Sequence, residues 1–104
     1  MHVDDELCLC FHVTWRKVIN YARIHRVKVP SQLADCQSAG TGCGWCRAAM
    51  RRLVDRMQES APNAEDIEQW LKQCYPRAEN YADGRRQHIA EGKGQPPPLP
   101  PAER

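Results

Sequence analysis

Four of the chain's six cysteines stand in two close pairs, and this spacing limits what the chain can fold into more than any other feature. The pairs are Cys8-x-Cys10 and Cys43-x-x-Cys46. Two short pairs on separate loops can deliver four thiolates to one centre, and four thiolates suit Zn²⁺ or an iron–sulfur cluster. The spacing therefore predicts a metal centre, which could be an iron–sulfur cluster or a zinc site. A structural or disulfide role of the four cysteines also stays open at this point.

Large apolar residues are scarce in this chain. Leu, Ile, Val and Phe make up about 16% of its 104 residues, below the roughly 20% at which disorder becomes a serious alternative. The formal net charge is only +2, so charge repulsion does not explain the scarcity. A chain of this size with so few core residues usually needs disulfides, a metal or a partner for stability. The cysteines are the natural candidates for that support.

The sequence favours a cytoplasmic protein. No stretch approaches the roughly 20 consecutive apolar residues of a membrane span, and the acidic segment 1–6 does not resemble a secretory signal. In the cytoplasm thiols stay reduced, and cysteine pairs then favour metal or redox chemistry. The near-neutral charge predicts neither a nucleic-acid partner nor a membrane partner. We expect the pair Arg85-Arg86 to lie on a solvated helix face.

Apolar residues recur at helical spacing, and we predict an all-α fold without a hairpin. The N-terminal half is expected to hold three helices. Thr14 would cap the first, which runs to about Arg26, and Ser31 would cap a short second helix. The strongest helical pattern runs over residues 44–60.

The C-terminal half is expected to add one or two helices and a tail. Asn63 and Asp66 resemble a capping box. After them, four residues recur at helical spacing, namely Ile67, Trp70, Leu71 and Cys74. We expect Cys74 to be a buried structural thiol in this stripe. A weaker helix is expected over residues 76–90, and residues 92–104 are predicted to be a disordered, proline-rich tail.

A glycine-rich loop surrounds the second cysteine pair. Residues 39–44 read Ala-Gly-Thr-Gly-Cys-Gly, which predicts a tight loop whose backbone approaches the centre closely. Backbone N–H groups there can donate to sulfur, and helices beginning near Thr14 and Arg47 would point their positive ends at an anionic cluster. Residues 16–60 carry nine Lys or Arg against three Asp or Glu, which fits an anionic centre.

The ordered combination of these motifs resembles a known family. Cys8-Leu-Cys10, Val13-Thr14 opening a helix, and the segment 39–46 (Ala-Gly-Thr-Gly-Cys-Gly-Trp-Cys) are similar to the [2Fe–2S] domain of bacterioferritin-associated ferredoxin. That domain is also a module of some nitrite reductases and iron–sulfur assembly proteins. The resemblance covers about residues 6–58.

The resemblance implies a compact helix-turn-helix fold with a [2Fe–2S] cluster held between loops at one end. It implies ligation by four cysteines, namely Cys8, Cys10, Cys43 and Cys46. It also implies one-electron transfer by a carrier that is not itself an enzyme. The redox partners would be a reductase and an electron acceptor such as bacterioferritin. We expect the cluster to be lined by five further residues, namely Gly40, Thr41, Gly42, Gly44 and Trp45, with Trp45 shielding it from water.

These expectations divide the chain into a [2Fe–2S] domain (1–60), a helical extension (61–91) and the tail (92–104). Two functional alternatives stay open. One is a zinc-stabilised interaction module that uses the stripe of Ile67, Trp70 and Leu71 as an interface. The other is a cluster-based iron or redox sensor.

The remaining cysteine and the histidines receive simpler predictions. Cys36 is expected to be a small core residue near the site. His12 is expected to lie near the cluster without replacing a thiolate, since four cysteines are available. His2, His25 and His88 are expected on the surface.

Overall fold

The computed structural model describes residues 1–59 and 62–95. Most of the predicted proline-rich tail, residues 96–104, lies outside the described residues. The elements in chain order are β1 (Glu6–Cys8), β2 (Val13–Thr14), α1 (Trp15–Ile24), a 3-10 helix (Pro30–Asp35), α2 (Arg47–Glu59), α3 (Ala64–Cys74) and α4 (Ala78–Ala90). In this part of the chain, no helix has both the length and the apolar character needed to cross a membrane.

A small antiparallel pair of strands corrects the prediction of a purely helical fold without a hairpin. Glu6 lies opposite Thr14 and Cys8 opposite Val13, with an irregularity between the two pairs. Strands of three and two residues are too short to show the alternation by which strands are recognised. The pair forms because Leu7 and Val13 are both fully buried, which holds the two segments against the core.

The first helix begins where the sequence indicates. The Thr14 hydroxyl accepts a hydrogen bond from the Lys17 N–H at 3.2 Å, which confirms Thr14 as the N-cap. The cap predicted for the next helix was wrong. Ser31 lies inside the 3-10 helix, and the Gln32 side chain accepts hydrogen bonds from the backbone N–H groups before it, including that of Lys28 at 2.8 Å.

Helix α3 completes the core on one side. The predicted capping box is confirmed, since Asn63 and Asp66 each accept a hydrogen bond from the other's N–H. Ile67 and Leu71 are fully buried, and Trp70 packs edge-on against the buried Trp15, with ring centroids 5.9 Å apart. The apolar stripe therefore packs in the core rather than lying open as an interface.

Cys74 is exposed, which contradicts its predicted burial. Helix α3 ends at Cys74, and the next residue, Tyr75, packs on the Trp15 ring with centroids 5.5 Å apart. Tyr75 thus packs beside Trp15, and the thiol one position earlier is left facing outward.

Helix α4 folds back towards the N-terminal half. Its buried Tyr81 donates a hydrogen bond to the Leu7 carbonyl at 2.5 Å, and Gly84 lies directly against the Trp45 ring. A Cβ atom at Gly84 would come within 2.6 Å of the Trp45 ring, so glycine allows this close approach. Through these contacts α4 is held against the two cysteine loops.

Candidate metal centre

The four paired cysteines converge from separate elements on one small cavity. Cys8 ends β1 and Cys10 follows it in the turn to β2, while Cys43 lies in the glycine loop. Cys46 directly precedes α2, and its carbonyl accepts the hydrogen bond of the Met50 N–H at 2.9 Å. The cavity is lined by these four residues together with Leu9, Gly42, Gly44 and Trp45. All four thiols are free, and only Cys10 is partly exposed.

The glycine loop has the backbone conformation that only glycine adopts without strain. Gly40 and Gly44 have φ values of +82° and +79°. A Cβ atom at Gly40 would lie 2.9 Å from Met50 Sδ. Arg47 Nε donates to the Gly40 carbonyl at 2.9 Å and so ties the loop to the first turn of α2. Thr41, by contrast, is exposed, and its hydroxyl donates to the Ser38 carbonyl at 2.7 Å.

Cys8 and Cys46 form one thiol pair. The interaction between the two side chains lowers the pKa of Cys8 and raises that of Cys46, whose thiol donates a hydrogen bond to Met50 Sδ at 3.7 Å. The backbone N–H groups of Gly40, Phe11 and Cys10 lower the pKa of Cys8 further. These backbone donors surround the Cys8 sulfur and favour its thiolate, the form in which cysteine binds metals.

Cys10 and Cys43 form the second pair. The Cys43 N–H donates to Cys10 Sγ at 3.4 Å, and Arg85 Nη2 donates to the same sulfur at 3.1 Å. Burial raises the pKa of Cys10, but these hydrogen bonds and the Arg85 charge outweigh it and the pKa is lowered. The reciprocal interactions with both cysteines outweigh the effect of burial on Arg85 and raise its pKa.

Helix α4 contributes contacts that the sequence interpretation missed. His88, predicted on the surface, is half-buried, and its Nε2–H donates to the Cys43 carbonyl at 2.8 Å. Arg85, predicted on a solvated face, contacts Cys10. Trp45 packs against Tyr81 and His88, with centroid distances of 5.9 Å and 5.6 Å. The only sequence signal for these contacts was a weak helical pattern over residues 76–90.

Cys36 and the other three histidines occupy core or surface positions. Cys36 is buried near the Lys17 carbonyl, at 3.9 Å, as predicted for a core thiol. His12 is exposed and pairs with the Glu6 carboxylate at 3.0 Å, and its proximity to the cluster stays a prediction. His2 and His25 are exposed, as predicted.

The donor set suits a [2Fe–2S] cluster. Four free thiols in two contacting pairs match a cofactor that divides four cysteine ligands between two iron ions. In the described part of the chain, no group of three or more His, Cys, Asp or Glu side chains is arranged around a single metal ion. Trp45 Nε1 and Arg85 Nε are buried beside the thiols and have no acceptor among the described residues. Sulfur atoms of a cluster would offer such donors an acceptor.

Comparison with known proteins agrees with this geometry. Residues 7–56 match the family model described as the BFD-like [2Fe-2S] binding domain. Searches of curated proteins and of solved structures returned no significant match. The matched segment contains both cysteine pairs, the glycine loop and most of α2, whereas α4 lies outside it. Residues 7–56, just under half of the chain, are a BFD-like [2Fe-2S] binding domain.

Proposed function

We propose that this protein is a small electron-transfer protein whose [2Fe–2S] cluster is held by Cys8, Cys10, Cys43 and Cys46. One observation carries the proposal: two contacting pairs of free thiols line one cavity, and backbone N–H groups hydrogen-bond their sulfurs. The bound cluster would supply reversible one-electron transfer.

The protein's own residues have distinct tasks in this proposal. The N–H groups of Gly40 and Cys43 stabilise thiolate charge on the ligands. The Trp45 ring, packed between α4 and the cysteine loop, limits the access of water to the cluster. Water exclusion and hydrogen bonds to sulfur both set the reduction potential of such a centre.

The partners are proposed from the family resemblance. A cytoplasmic reductase would supply electrons, and an iron-storage protein such as bacterioferritin, or a reductive enzyme, would accept them. Basic residues outnumber acidic residues within the segment 16–60, which supports an acidic docking surface on at least one partner.

Anaerobic purification followed by visible and EPR spectroscopy tests the proposal. We expect a red-brown protein with about two irons and two sulfides per chain. Dithionite should reduce it by one electron and produce the EPR signal of a reduced [2Fe–2S] centre. A colourless protein with one zinc per chain would refute the proposal and favour the interaction module. The burial of Ile67 and Leu71 in the core already weakens that alternative.

A sensor function is a second candidate because α4 contacts two of the proposed ligands directly, through Arg85 and His88. Loss of the cluster would then alter the docking of α4. Hydrogen exchange of residues 78–90 in the loaded and cluster-free protein distinguishes the two functions. Similar protection in both states indicates a simple carrier, whereas loss of protection in the cluster-free protein indicates a sensor.

A further inference from the structure

Arg85 has the position of a residue that acts on the cluster although it lies outside the matched segment. Its Nη2 donates to Cys10 Sγ at 3.1 Å. Its Nε is buried and has no acceptor within the described ranges 1–59 and 62–95. The neighbouring Arg86 points into solvent and pairs with Asp83 on the same helix. Two adjacent arginines of one helix thus occupy very different environments.

Three further contacts hold Arg85 in place. Tyr81 anchors α4 to the Leu7 carbonyl, His88 donates to the Cys43 carbonyl, and Gly84 admits the Trp45 ring. These contacts lie within two turns of one helix and on both sides of Arg85. The docked helix therefore fixes the position of the guanidinium against Cys10. The contact does not rely on the Arg85 side chain alone.

We propose that Arg85 is a positioning residue that raises the reduction potential of the cluster by holding a positive charge and N–H donors against Cys10. The inference rests on the proposed function. Reduction takes one electron from an external donor and makes no bond and breaks none. It changes the charge of the cluster with its four thiolates from −2 to −3, so a fixed cation beside a ligand sulfur stabilises the reduced form more than the oxidised form.

Arginine suits this position better than lysine. Its planar guanidinium carries five N–H donors, so it can donate to Cys10 through Nη2 while Nε remains free for a second sulfur acceptor. A lysine would keep the charge but would offer it as a compact, strongly hydrated ammonium on a flexible stem. Substitution of Arg85 by lysine therefore separates the effect of the positive charge from the effect of the several N–H donors.

Redox titration of the loaded full chain tests the proposal, with three variants beside the wild type. Arg85→Gln should lower the ratio of reduced to oxidised protein at a fixed potential by about tenfold, which corresponds to a midpoint shift of about −59 mV for a one-electron couple. Arg85→Lys should restore part of this loss. Arg86→Gln removes the same net charge from the next residue and should change the ratio less than twofold.

A measurement on the wild-type protein covers the case in which Arg85→Gln loses its cluster. Iron bound beside Arg85 should broaden the side-chain N–H signals of this residue in ¹⁵N-arginine NMR spectra, while those of Arg86 stay sharp. Unbroadened Arg85 signals in a cluster-containing protein would overturn the inference. Equal potentials in wild type and Arg85→Gln, or equal shifts in Arg85→Gln and Arg86→Gln, would overturn it too. Absence of iron and sulfide from the wild type would instead overturn the proposed function itself.

Discussion

The cysteine loops and helix α4 both contact the candidate centre, but they use different parts of the chain. The loops, residues 8–12 and 39–46, supply the thiols and the backbone N–H groups around them. Helix α4 supplies side chains: a phenol, a guanidinium and an imidazole, from positions 45 to 75 residues away from their partners. The candidate ligands and the α4 side chains that contact them are thus encoded by separate segments, and substitutions should alter one without the other.

The largest effect is expected from the loops. Cys43→Ser should abolish cluster binding and lower the melting temperature by about 10 °C or more. Two distant loops lose their common support when the cluster is lost, and each kcal/mol shifts the melting temperature of such a domain by roughly 4–8 °C. Circular dichroism of the loaded wild type and the variant measures this. Cys74→Ser, at an exposed thiol, is the control. An unchanged spectrum and melting temperature would show that folding and cluster binding are independent.

The next effect concerns the shape of the glycine loop. Gly40→Ala should destabilise the fold by about 2–3 kcal/mol, because alanine is strained at φ +82° and its Cβ would press on Met50 Sδ. Gly92→Ala is the matched control, since Gly92 has φ +75° and no described atom within 4 Å of a Cβ. Gly92→Ala should lower the free energy of unfolding by only about 1–2 kcal/mol. Equal losses in urea unfolding would mean that the Met50 contact contributes nothing.

A smaller effect is expected where α4 meets Trp45. Gly84→Ala should destabilise the docking of α4 by about 1–2 kcal/mol, although alanine favours a helix interior by about 1 kcal/mol over glycine. The reason is the approach of a Cβ to within 2.6 Å of the Trp45 ring. In a Trp45→Leu background the same substitution should become neutral or stabilising. A stabilising Gly84→Ala in the wild-type background would show that α4 does not pack on Trp45.

The smallest effect is expected at the anchor of α4. Tyr81→Phe removes the hydrogen bond to the Leu7 carbonyl and should cost about 1 kcal/mol while leaving the ring contacts in place. Hydrogen exchange should accelerate in α4 and stay unchanged in α2. Uniform acceleration throughout the protein would contradict the separation between loops and α4.

Local patterns predicted much of the fold and of the site. The two cysteine pairs and the glycine loop are short motifs whose chemistry can be predicted without knowledge of the tertiary structure. The N-cap at Thr14 and the capping box at Asn63 depend only on residues within one turn. The family match over residues 7–56 confirms the resemblance that these motifs carried, whereas the assignment of individual ligands stays a prediction.

The features that local patterns missed are decided by packing. Arg85 and His88 look like surface residues in the sequence, and only the docking of α4 brings them to the cysteines. The exposure of Cys74 depends on where α3 ends, a boundary that periodicity locates poorly. The strand pair was missed because strands of three and two residues are too short for alternation to identify them, although Leu7, Cys8 and Val13 are all buried in the core.

The central claim is that four particular thiols, and not the other two, hold the cluster. Iron and sulfide content of six single Cys→Ser variants tests it most directly. We expect Cys36→Ser and Cys74→Ser to retain about two irons and two sulfides per chain with wild-type spectra. The four other variants, at Cys8, Cys10, Cys43 and Cys46, should lose the cluster or change its spectrum. Loss of the cluster from Cys36→Ser or Cys74→Ser, or an unchanged spectrum in any of the four, would contradict this assignment of the ligands.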